Sequence, residues 1–323
     1  MNLLLFGATG FIGRNLLEFY SKDKTNKILA IGKSRSLPES ENVKFDHYDL
    51  TFKDNVQCAF GAADEYFGDE KYTVIQAAAT TSGAKDTFAN PLFHVTDNAI
   101  INSMILREEQ KHNVDIHVFF SCTVMFSGHK GLVNIDTPIL EIDDRYAGAG
   151  WTKVYIEKMC EFCSKIGKTK YIAIRHSNIY GPYDKFELGH SHFLSASITK
   201  VMTTPDGGDI IVWGDGYEER DFVYVSDLCD FVDERIKESY NPLNFTSSKK
   251  FRLVSCVSGQ NIETNEVVKK IIAASGKKLR ILNDRTAPSI PVNFYFFSSF
   301  KQKISLDEGL KKTIDWWKEN VGK

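Results

Sequence analysis

The sequence predicts an α/β protein, a doubly wound parallel sheet joined to a smaller α/β lobe. Three observations carry that prediction. Short apolar runs alternate with amphipathic helical stretches through the first half of the chain. The first run, Leu3–Phe6, passes into a turn with glycines at 7, 10 and 13, and that turn opens a helix. After Gly181-Pro182 the alternation becomes irregular, and Pro, Gly, His and aromatic residues become frequent. The expected division is residues 1–178 for the sheet domain and 179–323 mostly for the lobe, with parts of 210–240 returning to the sheet domain.

The elements follow in order. Leu3–Phe6 is the first strand, and Arg14–Phe19 continues as a helix. Gly7 permits a tight turn between them, and Gly13 lets helix and strand pack closely. Gly10 leaves room for a pyrophosphate, which would sit on the helix N-terminus where free N–H groups and the dipole favour an anion. Gly7, Thr9, Gly10, Phe11, Ile12 and Gly13 therefore form a candidate dinucleotide cradle. Lys27–Ile31 is the second strand, and the residues just after it meet the adenosine ribose in such folds. NAD users usually place a carboxylate there. This chain has Gly32-Lys33-Ser34-Arg35, two cations and a hydroxyl suited to a 2′-phosphate, so the expected cofactor is NADP.

Val43–Leu50 is the third strand and Tyr72–Ala79 the fourth. The small side chains of Ala77, Ala78 and Ala79 leave space for a cofactor over the sheet edge. Phe93–His112 has apolar residues at helical spacing. Ile116–Ser121 is the fifth strand, Tyr146–Lys165 the next helix and Thr169–Arg175 the sixth strand. In the lobe, Ile210–Gly216 and Glu219–Leu228 stand out. Ile304–Trp317 reads as a turn or short strand and an amphipathic helix.

Composition narrows the function. The chain has 323 residues, enough for a large core, and a net charge of −2, which supplies no general field for nucleic acid or anionic membrane. No apolar run is long enough to span a bilayer, and Met1 leads straight into the first strand, so no signal peptide is expected. The six cysteines are scattered. Cys160 and Cys163 lie inside a helix with no second pair, which favours buried thiols over a metal site and fits a reducing cytoplasm.

Three further stretches carry a resemblance. They are Arg175-x-x-Asn178-x-Tyr180-Gly181-Pro182, Trp213-Gly214-x-Gly216 and Arg220-Asp221-Phe222-x-Tyr224-Val225. With the glycine turn, they resemble the extended short-chain dehydrogenase/reductases of nucleotide-sugar metabolism, the NAD-dependent epimerase/dehydratase family, from Met1 to about Trp317. Gly181–Phe186 followed by His190-Ser191-His192-Phe193 resembles GDP-L-fucose synthases and related sugar 4-ketoreductases. The resemblance implies a Rossmann domain and a nucleoside-diphosphate sugar as substrate. It places Asp49 and Leu50 beside adenine and turns Asn98 and Asn178 toward the cofactor. Asn178, Phe193 and Trp213 fall beside the sugar nucleotide, and Lys200 and Arg220 beside its diphosphate. His192 falls on an acid/base position. The helices 93–112 and 146–165 of two subunits would form a four-helix bundle, so a homodimer is expected.

The family's active site is a Ser or Thr at the end of the fifth strand and a Tyr-x-x-x-Lys on the next helix. Four-residue spacing holds Tyr and Lys on one face about 6 Å apart. The lysine holds the nicotinamide ribose and lowers the tyrosine pKa, so the phenol can protonate a carbonyl oxygen. Here Lys153 aligns with the lysine, but Ala149 stands at the tyrosine position, and the hydroxyl position falls on Cys122 with Thr123 beside it. Three readings stay open: another donor (Tyr146, Thr123, Cys122 or His192), a sugar-nucleotide binder without catalysis, or a substitution introduced at 149. The dehydratases of this superfamily place Asp-Glu after the active-site Thr, and fucose synthases place a cysteine two residues after the serine. Cys122-Thr123-Val124 has neither group. The expected reaction is therefore NADPH-dependent reduction of the C4 keto group of a nucleotide-linked 4-keto-6-deoxy sugar, without epimerisation. The alternatives are a C4 epimerase and a catalytically impaired binder.

Overall fold

Leu3, Leu4, Leu5 and Phe6 are all fully buried, which requires a strand covered on both faces. The computed structural model describes residues 1–81, 91–246, 248–287, 294–298 and 300–322. In chain order its elements are β1 (Asn2–Phe6), α1 (Phe11–Ser21), β2 (Lys27–Gly32), β3 (Val43–His47), α2 (Lys53–Phe67), β4 (Tyr72–Gln76) and α3 (Pro91–Glu108). Next come β5 (Val114–Cys122), β6 (Gly131–Val133), α4 (Ala147–Ile166), β7 (Lys170–His176), β8 (Asn178–Tyr180), α5 (Phe193–Thr203), β9 (Asp209–Trp213) and β10 (Glu219–Tyr224). The chain closes with α6 (Val225–Glu238), β11 (Phe251–Cys256), β12 (Asn261–Glu263), α7 (Thr264–Ser275), β13 (Arg280–Asp284), β14 (Phe294–Phe296) and α8 (Leu306–Asn320).

Seven strands form one sheet in the order β11-β7-β5-β4-β1-β2-β3, and every pairing in it is parallel. Side chains alternate between its two faces. Leu3, Leu5, Ile28 and Ala30 pack with Leu16 and Tyr20 of α1 and Leu228 and Val232 of α6. Leu4, Phe6, Leu29 and Ile31 pack with Val56 and Phe60 of α2 and Ile101 and Ile105 of α3. Strand order reverses between β1 and β4, and ligands in such sheets sit outside the carboxyl ends of the strands at that reversal. The doubly wound reading of the sequence holds.

Several boundaries shift. The third and fourth strands stop at His47 and Gln76, so Asp49, Leu50 and Ala77–Ala79 lie in the turns beyond them, at the carboxyl edge. The helix read as Phe93–His112 begins at Pro91 and stops at Glu108, where a 3₁₀ turn, Glu109–Lys111, takes over. Glu109 is fully buried and bonds His117 Nδ1 (2.6 Å) and the Tyr171 hydroxyl (2.6 Å). Those bonds tie the helix end to β5 and β7. β11 was not legible in the sequence, and it joins the sheet beside β7 through the register Phe251↔Tyr171 to Cys256↔His176.

A separate buried cluster joins Tyr180, Leu194, Ile198, Phe222, Val267, Leu310 and Trp317. Tyr183 ties it to α1. Its hydroxyl donates to Glu18 (2.6 Å), and its ring meets Trp316 edge-on at 5.0 Å. No helix among the described residues is long and apolar enough to cross a membrane.

Candidate active site

The glycine turn lies where β1 meets β4. Gly7 has φ +75°, and a Cβ there would lie 2.5 Å from the Ala78 nitrogen. A Cβ on Gly13 would lie 2.1 Å from the Gly7 carbonyl oxygen, so the start of α1 presses against the turn. At Gly10 the neighbour is the Gly7 oxygen alone, at 3.3 Å, and the space above is open. No side chain caps α1 and no acid lies in its first turn, which leaves its N-terminus suited to an anion. The cradle thus fits a dinucleotide diphosphate.

The ribose end is cationic and partly self-paired. Arg35 donates to the Thr9 carbonyl (3.2 Å), which draws its guanidinium toward the glycine turn. Lys33 Nζ lies 2.8 Å from Asp49 Oδ2. Burial opposes the charge on Asp49, but hydrogen bonds from Lys33 and Thr51 outweigh it and hold its carboxyl below the usual range. Ser34 is exposed in the same turn and Leu50 is buried. On the β4 side, the Gln76 amide brackets Ala78, accepting from its N–H (3.1 Å) and donating to its carbonyl (3.0 Å). Asn98 clasps Thr80 in the same way, at 3.0 and 2.9 Å. Its amide therefore shapes the loop that flanks the cradle.

Lys153 reaches the end of β5 from α4. Its ammonium donates to the Phe120 carbonyl (2.6 Å) and stands 4.8 Å from the Phe119 ring centroid. Burial pulls its pKa down, opposed by Cys122 and Glu157. Burial pushes the Cys122 thiol up, with the Lys153 charge working the other way. Thr123 opens the 3₁₀ turn that follows. Tyr146 is the N-cap of α4 and packs on a cluster that includes Met125, Phe126 and Ile142. Gly150 N donates to the Tyr146 carbonyl (2.8 Å), so the glycines leave the helix regular and Tyr146 stays two turns from Lys153.

Three residues escaped the sequence reading. His176 is the strand partner of Cys122. Burial lowers its pKa to about 4, helped by the charges of Lys153 and His192, while a bond between Nδ1 and the Ser177 carbonyl (2.8 Å) opposes. Its C2–H resonance is expected to titrate near pH 4, and a midpoint at the ordinary 6.5 would contradict that burial. Glu157 lies one turn after Lys153. It binds Arg175 bidentately (3.0 and 2.7 Å) and accepts from Ser121 (2.6 Å), and all three are buried. Arg175 also donates to the Ile135 carbonyl (3.1 Å). Asp184 is the third, and its carboxylate stands 3.5 Å from His192 Nδ1. His176 and Asp184 lay within stretches already singled out, but without a role of their own.

The remaining candidates lie later in the chain, between residues 178 and 220. His192 is the N-cap of α5, half-exposed, and Phe193 begins the helix. Arg220 stacks over the Phe193 ring at 5.9 Å, and its Nε is buried with no partner among the described residues. That group fits an anionic ligand. Lys200 instead donates to the Ile211 carbonyl (2.9 Å), and burial lowers its pKa. Trp213 is exposed at the end of β9. Asn178 donates to the Asp221 carbonyl (2.9 Å), and Asp221 itself caps Ser258 and Gly259. Among the described residues, no group of three or more His, Cys, Asp or Glu is set to hold a metal.

The family model described as "NAD dependent epimerase/dehydratase family" matches residues 3–244. The chain is 25% identical over 328 residues to the GDP-L-colitose synthase of Yersinia pseudotuberculosis, covering 98% of each. It is 22% identical over 275 residues to the GDP-L-fucose synthase of Escherichia coli (strain K12), covering 80% of this chain and 84% of that one. Its fold is that of the UDP-glucose 4-epimerase of Thermotoga maritima, solved with UDP-glucose. The TM-score is 0.81 at 19% identity, over 99% of this chain and 100% of that one.

Proposed function

The chain belongs to the NAD dependent epimerase/dehydratase family, and on that premise we propose that it reduces the C4 keto group of a nucleotide-linked 4-keto-6-deoxy sugar with NADPH. One observation carries the reading. An open, uncapped glycine cradle lies at the reversal of strand order, and Lys153 bonds the Phe120 carbonyl near the end of β5 in the same sheet, which supports a dinucleotide cofactor at that edge. Gly7, Thr9, Gly10, Phe11, Ile12 and Gly13 would hold the cofactor's diphosphate. Lys33, Ser34 and Arg35 would hold its ribose phosphate, and Lys153 its other ribose. When bound, NADPH supplies the hydride. The protein's task is then to deliver a proton to the C4 oxygen and to hold the sugar's diphosphate on Arg220 and Lys200.

A panel of nucleoside-diphosphate 4-keto-6-deoxy sugars tests this at the nicotinamide absorbance band. Stoichiometric loss of NADPH is expected with at least one member. Interconversion of C4 epimers on retained NAD, with no net loss of NADPH, would point to an epimerase. Binding without turnover across the panel would favour an impaired binder, a reading that Ala149 supports because it carries no proton.

NADP is expected to bind more tightly than NAD. The sign follows from Lys33 and Arg35, whose charges suit a 2′-phosphate; Lys33 would share its ammonium between that phosphate and Asp49. Replacing both with alanine should remove the preference in a calorimetric titration. Equal affinities in the unaltered protein would refute it.

The proposed protein is a cytoplasmic homodimer. Phe93 and Ile100 of α3 and Trp151, Tyr155, Phe162 and Ile166 of α4 are exposed apolar residues at helical spacing. The two helices pack together, with Ser103 and Tyr155 hydroxyls 3.2 Å apart. A second copy would cover this face as a four-helix bundle. Sedimentation should give a dimer at micromolar concentration, and Phe162→Glu should shift it toward monomer. A monomeric unaltered protein would end the idea.

A further inference from the structure

We propose that Asp184 is a positioning residue for His192, holding the ring with Nδ1–H toward the carboxylate so that Nε2 is presented to the sugar. This rests on the reading of His192 as the acid/base group of the reductase. The carboxylate is itself fixed. Its Oδ1 accepts from the Lys185 peptide N–H (2.8 Å), its Oδ2 accepts from the buried Ser195 hydroxyl, and its side chain is only 2% exposed. Lys185 in turn donates from its ammonium to the Thr81 carbonyl, which ties this segment to the turn after β4.

His192 Nδ1 stands 3.5 Å from Asp184 Oδ1, and that ring is half-exposed. A small rotation of the ring closes this to a hydrogen bond, and acid/base contacts are often long until a ligand binds. A carboxylate is acceptor-only when ionised, so the nitrogen facing it must carry the proton. The two ring nitrogens lie on opposite edges. Fixing Nδ1–H on the buried side leaves Nε2 on the exposed side, free to take up a proton and pass it on. The backbone supports the pose. His192 is the N-cap of α5 and its carbonyl accepts from Ala196 N (2.9 Å), so the residue cannot drift along the loop. A plain loop staple would need only the Lys185 and Ser195 bonds, and the approach of the imidazole is the surplus that the staple does not explain.

The two roles separate experimentally. Ring ¹⁵N correlations are recorded with His192 assigned, at a pH where the ring carries one proton. The expected wild-type result is the Nδ1–H tautomer. The Nε2–H tautomer would overturn the proposal without any variant. Asp184→Asn should shift the ring toward Nε2–H or a mixture and lower kcat by at least about 10-fold with KM little changed. Ser195→Ala, which keeps the carboxylate, should leave the tautomer as in wild type. If Asp184→Asn leaves the tautomer in place, or if Ser195→Ala disturbs it equally, Asp184 is a staple only. The tautomer is read without substrate, so absence of reductase activity would remove the functional reading and leave the pairing of Asp184 with His192 standing.

Discussion

His192→Asn is expected to lower kcat for 4-keto sugar reduction by about two to four orders of magnitude, with NADP affinity unchanged. Carbonyl reduction creates an alkoxide, and leaving it unprotonated in a dry site is costly. The other candidates are each encumbered. Ala149 carries no proton. Lys153 is engaged with the Phe120 carbonyl. His176 stays neutral down to about pH 4 with Nδ1 on the Ser177 carbonyl, which leaves Nε2 a lone pair and no proton to give. The Cys122 thiol is pushed up by burial and is a poor donor. Tyr146 packs in an apolar cluster two turns away from Lys153. His192 and, behind it, Thr123 remain. Near-normal turnover in His192→Asn, with loss in Thr123→Val or Tyr146→Phe, would pass the role to that residue. If Ala149→Tyr raises activity strongly, position 149 is a lesion and not an evolved solution.

Glu157→Ala is expected to destabilise the fold by about 3–5 kcal/mol, because it leaves the Arg175 guanidinium buried and unpaired. The pair is bidentate, and both side chains are nearly inaccessible. Ser121 would lose its acceptor as well. Glu157→Leu combined with Arg175→Met should recover most of the loss, since a hydrophobic replacement of a buried pair is often neutral. Chemical denaturation measures both variants. A cost below about 1 kcal/mol for Glu157→Ala would mean that water reaches Arg175 and that the pair is not buried in solution.

The contrast between these residues explains what the sequence could disclose. The glycine cradle was legible because its work is local: three glycines, a strand and a helix lie within the first 21 residues. Lys153 was legible through the resemblance, which aligns it with the family's lysine although Ala149 breaks the usual spacing. Arg175, Asp221 and Asn98 were legible as marked positions, but what they do depends on partners far away in the chain. Arg175 meets Glu157, Asp221 meets Ser258 and Gly259, and Asn98 meets Thr80. His176 was hidden because its meaning comes from a strand register with Cys122 that no local pattern encodes. β11 was hidden for a related reason. Four of its six residues are only partly buried and apolar or small, Phe251, Leu253, Val254 and Ser255, and it returns to the sheet after the lobe has begun.

Arg220 and Lys200 differ in what an arriving diphosphate would ask of them. Lys200 holds the Ile211 carbonyl, so capture by Lys200 is an exchange in which one bond is surrendered as another forms. The Nε of Arg220 has no partner among the described residues, so capture there would be an addition, with the guanidinium already lying over the Phe193 ring. An exchange contributes only the difference between two contacts, whereas an addition relieves a group already stripped of water. If the two side chains hold the sugar's diphosphate as proposed, the arginine would anchor it and the lysine would adjust to it.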